Sequence, residues 1–143
     1  MLKCKHRLLD LTSTFKHKFL RVLDTDILYM YVEDGVLKGH YKVDVLDREI
    51  AEKAIASRLE FQNGVSYKII FNTTNLKSIT PEARKILSGP KSHLGFKAAA
   101  FIRKSALTNA LGNLYLKYAN VPVPTKMFRT EEQAKERLDS LDV

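Results

Sequence analysis

The chain has 143 residues, 45% of them apolar, with 24 lysines and arginines against 16 acids, a formal net charge of +8 and one cysteine. That length suffices for a single domain with a real core, needing neither disulfide nor metal, and a lone Cys4 excludes a disulfide framework and a thiolate metal site within one chain. The start Met1 to Arg7 is basic, but Asp10, Thr12, Ser13, Thr14, Lys16 and His17 leave no apolar stretch of signal-peptide or membrane-span length. The expectation is a soluble protein in a reducing, cytoplasmic setting.

The positive charge is clustered. Residues 1–21 carry six basic side chains against Asp10, and residues 77–104 carry seven against Glu82, so the remainder is net acidic. Such clusters suit an anionic partner, whether nucleic acid, phospholipid headgroup or acidic protein, and equally a solvated basic surface.

In chain order, residues 1–17 are expected as a loosely held basic arm and residues 18–143 as the domain. Leu8, Leu11, Phe15, Phe19 and Val22 recur at helical spacing, but Phe19 to Leu23 also pairs naturally as a strand with Ile27 to Glu33, and the hairpin is the preferred reading. Asp34-Gly35 closes the second strand as a turn. From Asp44, a candidate N-cap, the period becomes helical: Leu46, Ile50, Ala54, Ile55 and Leu59 form one stripe, ended by Asn63-Gly64.

Ser66 to Phe71 then reads as a central strand followed by the polar loop Asn72 to Asn75. Thr80 with Pro81 starts a short helix that Gly89-Pro90 ends. Phe96 to Ile102 is the next strand, and its three alanines predict close-packed covering layers. Leu107, Leu111, Leu114 and Tyr118 predict a helix, Thr125 to Phe128 a strand, and Thr130 with Gln133 a capping box for a last helix with Ala134 and Leu138 inward. Strand and helix alternate through the second half, which predicts a largely parallel sheet with crossover helices.

Ile69 to Ala83, Phe96 to Phe101, Leu111 to Leu116 and Val123 to Ala134 together resemble the SpoIIAA-like, or STAS-like, superfamily, in a branch of small uncharacterised bacterial proteins. The resemblance implies an α/β domain with a mixed, mostly parallel sheet, crossover helices and an N-terminal antiparallel hairpin. In the superfamily's anti-sigma-factor antagonists an Asp-Ser-Ser-Gly motif at the helix start after the central strand carries a phosphorylated serine. Here the corresponding run is Thr80-Pro81-Glu82-Ala83, so the resemblance argues against that switch. CRAL-TRIO-like relatives of this topology are similar to lipid-binding modules, which adds a lipid ligand to the expectations.

Catalysis has little support. His6, His17, His40 and His93 are scattered and read as solvent-facing, Cys4 is a lone thiol beside Lys3 and Lys5, and no phosphate loop or nucleophile elbow occurs. Ligands of open α/β sheets bind outside the carboxyl ends of parallel strands. The residues falling there, Asn72, Thr74, Arg103, Lys104, Ser105, Arg129 and Thr130, form a candidate rim for an anion or a partner, helped by helix N-termini. Helix capping alone also accounts for Ser105 and Thr130.

The reading is a non-enzymatic regulatory or ligand-binding module without cofactor or metal, acting through that rim on an unknown protein partner or a small anionic or lipid ligand. The alternative is binding of an anionic surface through residues 1–21 and 77–104. Nucleic acid is the less favoured surface, because Tyr29, Tyr31, Phe71 and Phe101 lie in strand patterns rather than on an exposed stacking platform.

Overall fold

The computed structural model describes residues 5–10, 19–104, 112 and 122–143. In chain order they form β1 (Lys5–Asp10), β2 (Phe19–Asp24), β3 (Leu28–Glu33), β4 (Val36–Tyr41), β5 (Val45–Leu46), α1 (Arg48–Gln62), β6 (Tyr67–Asn72), β7 (Ser78–Ile79), α2 (Pro81–Leu87), α3 (Pro90–His93), β8 (Phe96–Ile102), β9 (Thr125–Phe128) and α4 (Glu131–Asp139). The helix expected around Leu107 to Tyr118 lies, apart from Gly112, outside the described residues.

Seven strands make one sheet in the order β1-β2-β3-β4-β6-β8-β9. The first four are antiparallel, while β4, β6, β8 and β9 run parallel. As the alternation of helix and strand predicts, β6 is interior, paired on both sides, and buries Ile69, Ile70 and Phe71. The short parallel pair β5 and β7 sets the chain ends before α1 and α2 side by side.

The basic arm needs correction. Lys5–Asp10 is not a loose lead-in but an edge strand, in register with β2 over six residue pairs from Lys5↔Asp24 to Asp10↔Phe19. The unpaired outer edge of β2 offers a row of backbone donors and acceptors, and a ladder satisfies them whatever the side-chain pattern. The N-terminal hairpin is correspondingly larger than expected: β4 adds a further antiparallel strand through Asp34-Gly35, both at positive φ, and then turns the sheet parallel.

Local chemistry sets the helix ends. The N-cap of α1 is Asp47, whose carboxylate accepts from the Ile50 N–H at 2.9 Å, not Asp44; the β5 pairing keeps Val45 and Leu46 extended. Asn63, left-handed at φ 48°, ends the helix as expected. Thr80 caps α2 with Pro81 in its first turn, and Thr130 caps α4 through the Gln133 N–H at 3.2 Å, while the Gln133 side chain accepts from the Arg129 N–H.

Each face of the sheet has its own core. Leu37, Ile69, Phe71 and Phe101 pack toward α1 and α2 with Ala51, Ala54 and Ala83. On the other face Val36, Ile70, Ala98, Ala100 and Ile102 pack under Ala134 and Leu138 of α4. The small side chains of β8 on this face leave room for the close approach of α4 that the alanine run implied.

Candidate functional site: a cavity with a buried guanidinium

A cavity of about 540 Å³ lies between the α1–α2–α3 layer and the parallel half of the sheet. Its sheet wall is aromatic. Phe71 stacks on Tyr41 with ring centroids 5.5 Å apart and on Phe101 at 5.8 Å, and Phe96 is tilted against it at 6.4 Å. Met127 of β9 and Gly112 continue the lining, and Ala54, Ile55 and Leu87 supply aliphatic contacts from the helices. Lys77, Ser78 and Arg84 are its exposed lining residues and mark the mouth; Arg103 also lines it.

Among the described residues none of the lining side chains is acidic, whereas four are lysine or arginine: Arg58, Lys77, Arg84 and Arg103. The most unusual of these is Arg58. Positions 51, 54, 55, 58 and 62 form the buried stripe of α1, so helical spacing carries Arg58 inward to 2% exposure. Its guanidinium sits over the Phe96 ring, Cζ 4.4 Å from the centroid. Nη1 donates to the Gln62 side chain and to the Leu94 carbonyl at 2.8 Å, and Nη2 donates to the Ser92 carbonyl at 3.0 Å.

Those bonds use three of the five guanidinium N–H groups. Among the described residues no carboxylate lies within ion-pair distance of Arg58, and the remaining donors have no acceptor. Burial accordingly pushes the Arg58 pKa down to about 10, partly opposed by Tyr41. Tyr41, 5% exposed on the same cavity wall, has a phenol pushed up to about 12 by burial, with Arg58 pulling the other way. Its hydroxyl also lacks a hydrogen-bond partner among the described residues.

The sequence-derived rim is assembled in part. The Thr73 N–H and hydroxyl both bond the Ile102 carbonyl, the Arg103 N–H bonds the Phe128 carbonyl at 2.9 Å, and Arg129 Nε donates to the Lys104 carbonyl at 3.2 Å, so the three strand ends are neighbours. Lys104 and Arg129 are exposed there. Asn72 and Thr74 are engaged with each other, the Asn72 side chain accepting from the Thr74 N–H and hydroxyl at 2.9 and 2.7 Å. Thr130 is occupied as the cap of α4, and Ser105 lies outside the described residues.

Sequence reasoning missed Arg58, Tyr41 and His93 as site residues. His93 is not solvent-facing but half-buried on the cavity wall, its ring edge-on to Phe96 and Nδ1 2.9 Å from the Gly89 carbonyl. The available signal was Arg58 itself, an arginine three and four residues beyond Ile55 and Ala54 on an otherwise apolar stripe.

Over residues 30–142 the chain matches the family described as "Domain of unknown function (DUF7793)". The chain belongs to that family. This DUF7793 protein matches no curated protein. Among solved structures it is similar to an uncharacterised protein of the DUF3478 family with a SpoIIAA-like fold from Shewanella loihica, at 16% identity, a TM-score of 0.57 and coverage of 96% of this chain and 98% of the other. It is also similar to the anti-sigma factor antagonist SpoIIAA in its unphosphorylated form, at 19% identity and a TM-score of 0.49, over 85% and 99% of the two chains. The likeness to the DUF3478 protein shows a SpoIIAA-like fold, as the resemblance of the motifs implied. Among the described residues no helix is long and apolar enough to cross a membrane, and no group of histidine, cysteine and acidic side chains is placed to hold a metal ion.

Proposed function

We propose that this DUF7793 protein is a non-enzymatic ligand-binding module whose ligand occupies the cavity between the sheet and the α1–α2–α3 layer. The observation that carries the reading is the cavity itself. Its volume of about 540 Å³ falls in the range of small-molecule sites, and its aromatic walls with a few polar groups are the usual composition of one. Arg103 joins this cavity to the strand-end rim, so the anionic partner expected there and the apolar ligand share one region. The basic cluster of residues 77–104 contributes three of the lining cations, Lys77, Arg84 and Arg103, which supports a ligand rather than an extended surface as its partner.

Regulation would run without a phosphoserine. At the start of α2 the Thr80 side chain accepts from the Ala83 N–H at 3.2 Å, and Pro81 and Glu82 occupy the first turn where the superfamily's phosphorylated serine would fall. Native mass spectrometry of the gently purified full chain tests the reading. A non-covalent adduct that organic extraction removes and added amphiphile restores is the expected result. A chain with no adduct that takes up neither an apolar acid nor an apolar alcohol overturns it.

A further inference from the structure

We propose that the cavity's ligand is an apolar carboxylic acid, its carboxylate seated on the Arg58 guanidinium beside the Tyr41 hydroxyl and its chain lying along Phe71 and Phe101. The inference rests on the ligand-binding reading and adds the chemistry of the head group. A buried cation without a counter-ion is costly, and proteins nearly always pair or hydrogen-bond such a group fully. Among the described residues, Arg58 is 2% exposed with two N–H donors unused, Tyr41 is 5% exposed with its hydroxyl unused, and both line one cavity that no acidic side chain enters. The acceptor called for is an anion, and none of the described residues supplies it.

Carboxylate is the best match. The guanidinium already spends three donors on Gln62, Ser92 and Leu94, which holds it over Phe96 and leaves two N–H groups, a number that one carboxylate can accept. The neighbouring surface is the stacked Phe71–Phe101 pair and Met127, which demands an apolar body behind the head. A bound carboxylate completes the hydrogen bonds of both polar groups while the rest of the molecule displaces water from apolar wall.

The test is calorimetric titration of the full chain, stripped of adducts, with decanoate and with decanol, which share a tail and differ in charge. Decanoate is expected to bind about tenfold or more tighter than decanol, the weight of a charge-assisted hydrogen-bond pair. Arg58→Gln should remove that preference and Tyr41→Phe should reduce it severalfold, each by weakening decanoate more than decanol. Because Arg58 also holds the Ser92 and Leu94 carbonyls, Arg58→Gln carries weight only if it folds; Tyr41→Phe keeps the ring and stands alone if it does not. Decanol binding as tightly as decanoate, or a preference untouched by Tyr41→Phe, overturns the carboxylate assignment and leaves the cavity as a ligand site. Binding of neither compound removes both.

Discussion

Phe71 lies so close over the backbone of Gly39 that a Cβ at position 39 would stand 2.8 Å from the ring's Cε1 and 3.2 Å from the Met30 methyl. The absent side chain lets the central ring of the aromatic wall sink against β4, which opens the space above it. Gly39→Ala is therefore expected to lift Phe71 toward the cavity, cost about 1–3 kcal/mol through overpacking, and weaken decanoate binding. Denaturant midpoints and calorimetry check both parts, and an unchanged midpoint would show the ring yielding freely.

Two lysines on neighbouring parallel strands hold the two ends of α4. Lys38 of β4, 9% exposed, reaches Glu33 at 2.8 Å and Glu131 in the helix's first turn at 3.2 Å, while Lys68 of β6 donates to the Leu138 carbonyl in its last turn at 2.7 Å and to the Leu141 carbonyl just past its end at 3.0 Å. Lys68→Met should speed hydrogen exchange in the last turn of α4 and cost about 1 kcal/mol, the ordinary value of such bonds. Exchange rates unchanged in that turn would mean that packing of Leu138 alone seats the helix.

The buried phenol makes a spectroscopic prediction. Of the six tyrosines, Tyr41 should ionise at the high end of the range, its pKa pushed from the ordinary 10.0 to about 12 by burial. A raised pKa in the folded state means that this contribution to stability is fully present below pH 10.0 and is lost as pH rises through about 12. Arg58 opposes it, since its lowered pKa relieves a burial penalty over the same range. Comparing wild type with Tyr41→Phe isolates the tyrosine: the variant should lack the latest step in the near-ultraviolet titration and lose less stability across that window.

Much of the parallel half was legible because its boundaries are written in local chemistry. Thr80-Pro81, Asn63-Gly64 and Thr130 with Gln133 act within a few residues of one another, so helix ends followed, and β8 and β9 occur where apolar runs meet those signals. The strand β1 was not legible, because an edge strand is held by a backbone ladder that leaves little trace in side-chain pattern. Asp44, the expected cap, and Asp47, the observed one, are the same residue type, and the long-range pairing of Val45 and Leu46 with Ser78 and Ile79 is what moves the helix start to the second. The cavity was illegible for a related reason. It depends on Tyr41, Phe71, Phe96 and Phe101 meeting from three strands, and strand pattern identifies them as core without showing that the core is hollow there.

The edge position of β1 has a consequence for stability. Removing residues 1–17 would strip six ladder pairs from β2 and leave its backbone groups exposed on the rim of the sheet. The truncated chain should melt at a lower temperature and self-associate more readily, as thermal unfolding with light scattering would report. An unchanged melting temperature and a monomeric scattering profile would show that the arm's pairing adds nothing to the fold.

The most direct measurement on the cavity itself is an isotope-filtered NOE experiment on the full chain with bound decanoate. Contacts are expected from the acid's methylenes to the ring protons of Phe71 and Phe101, with the methylene next to the carboxylate nearest Tyr41 and the Arg58 side chain. Contacts confined to exposed residues such as Val65 and Leu94, with none to the aromatic wall, would contradict a ligand site inside this fold.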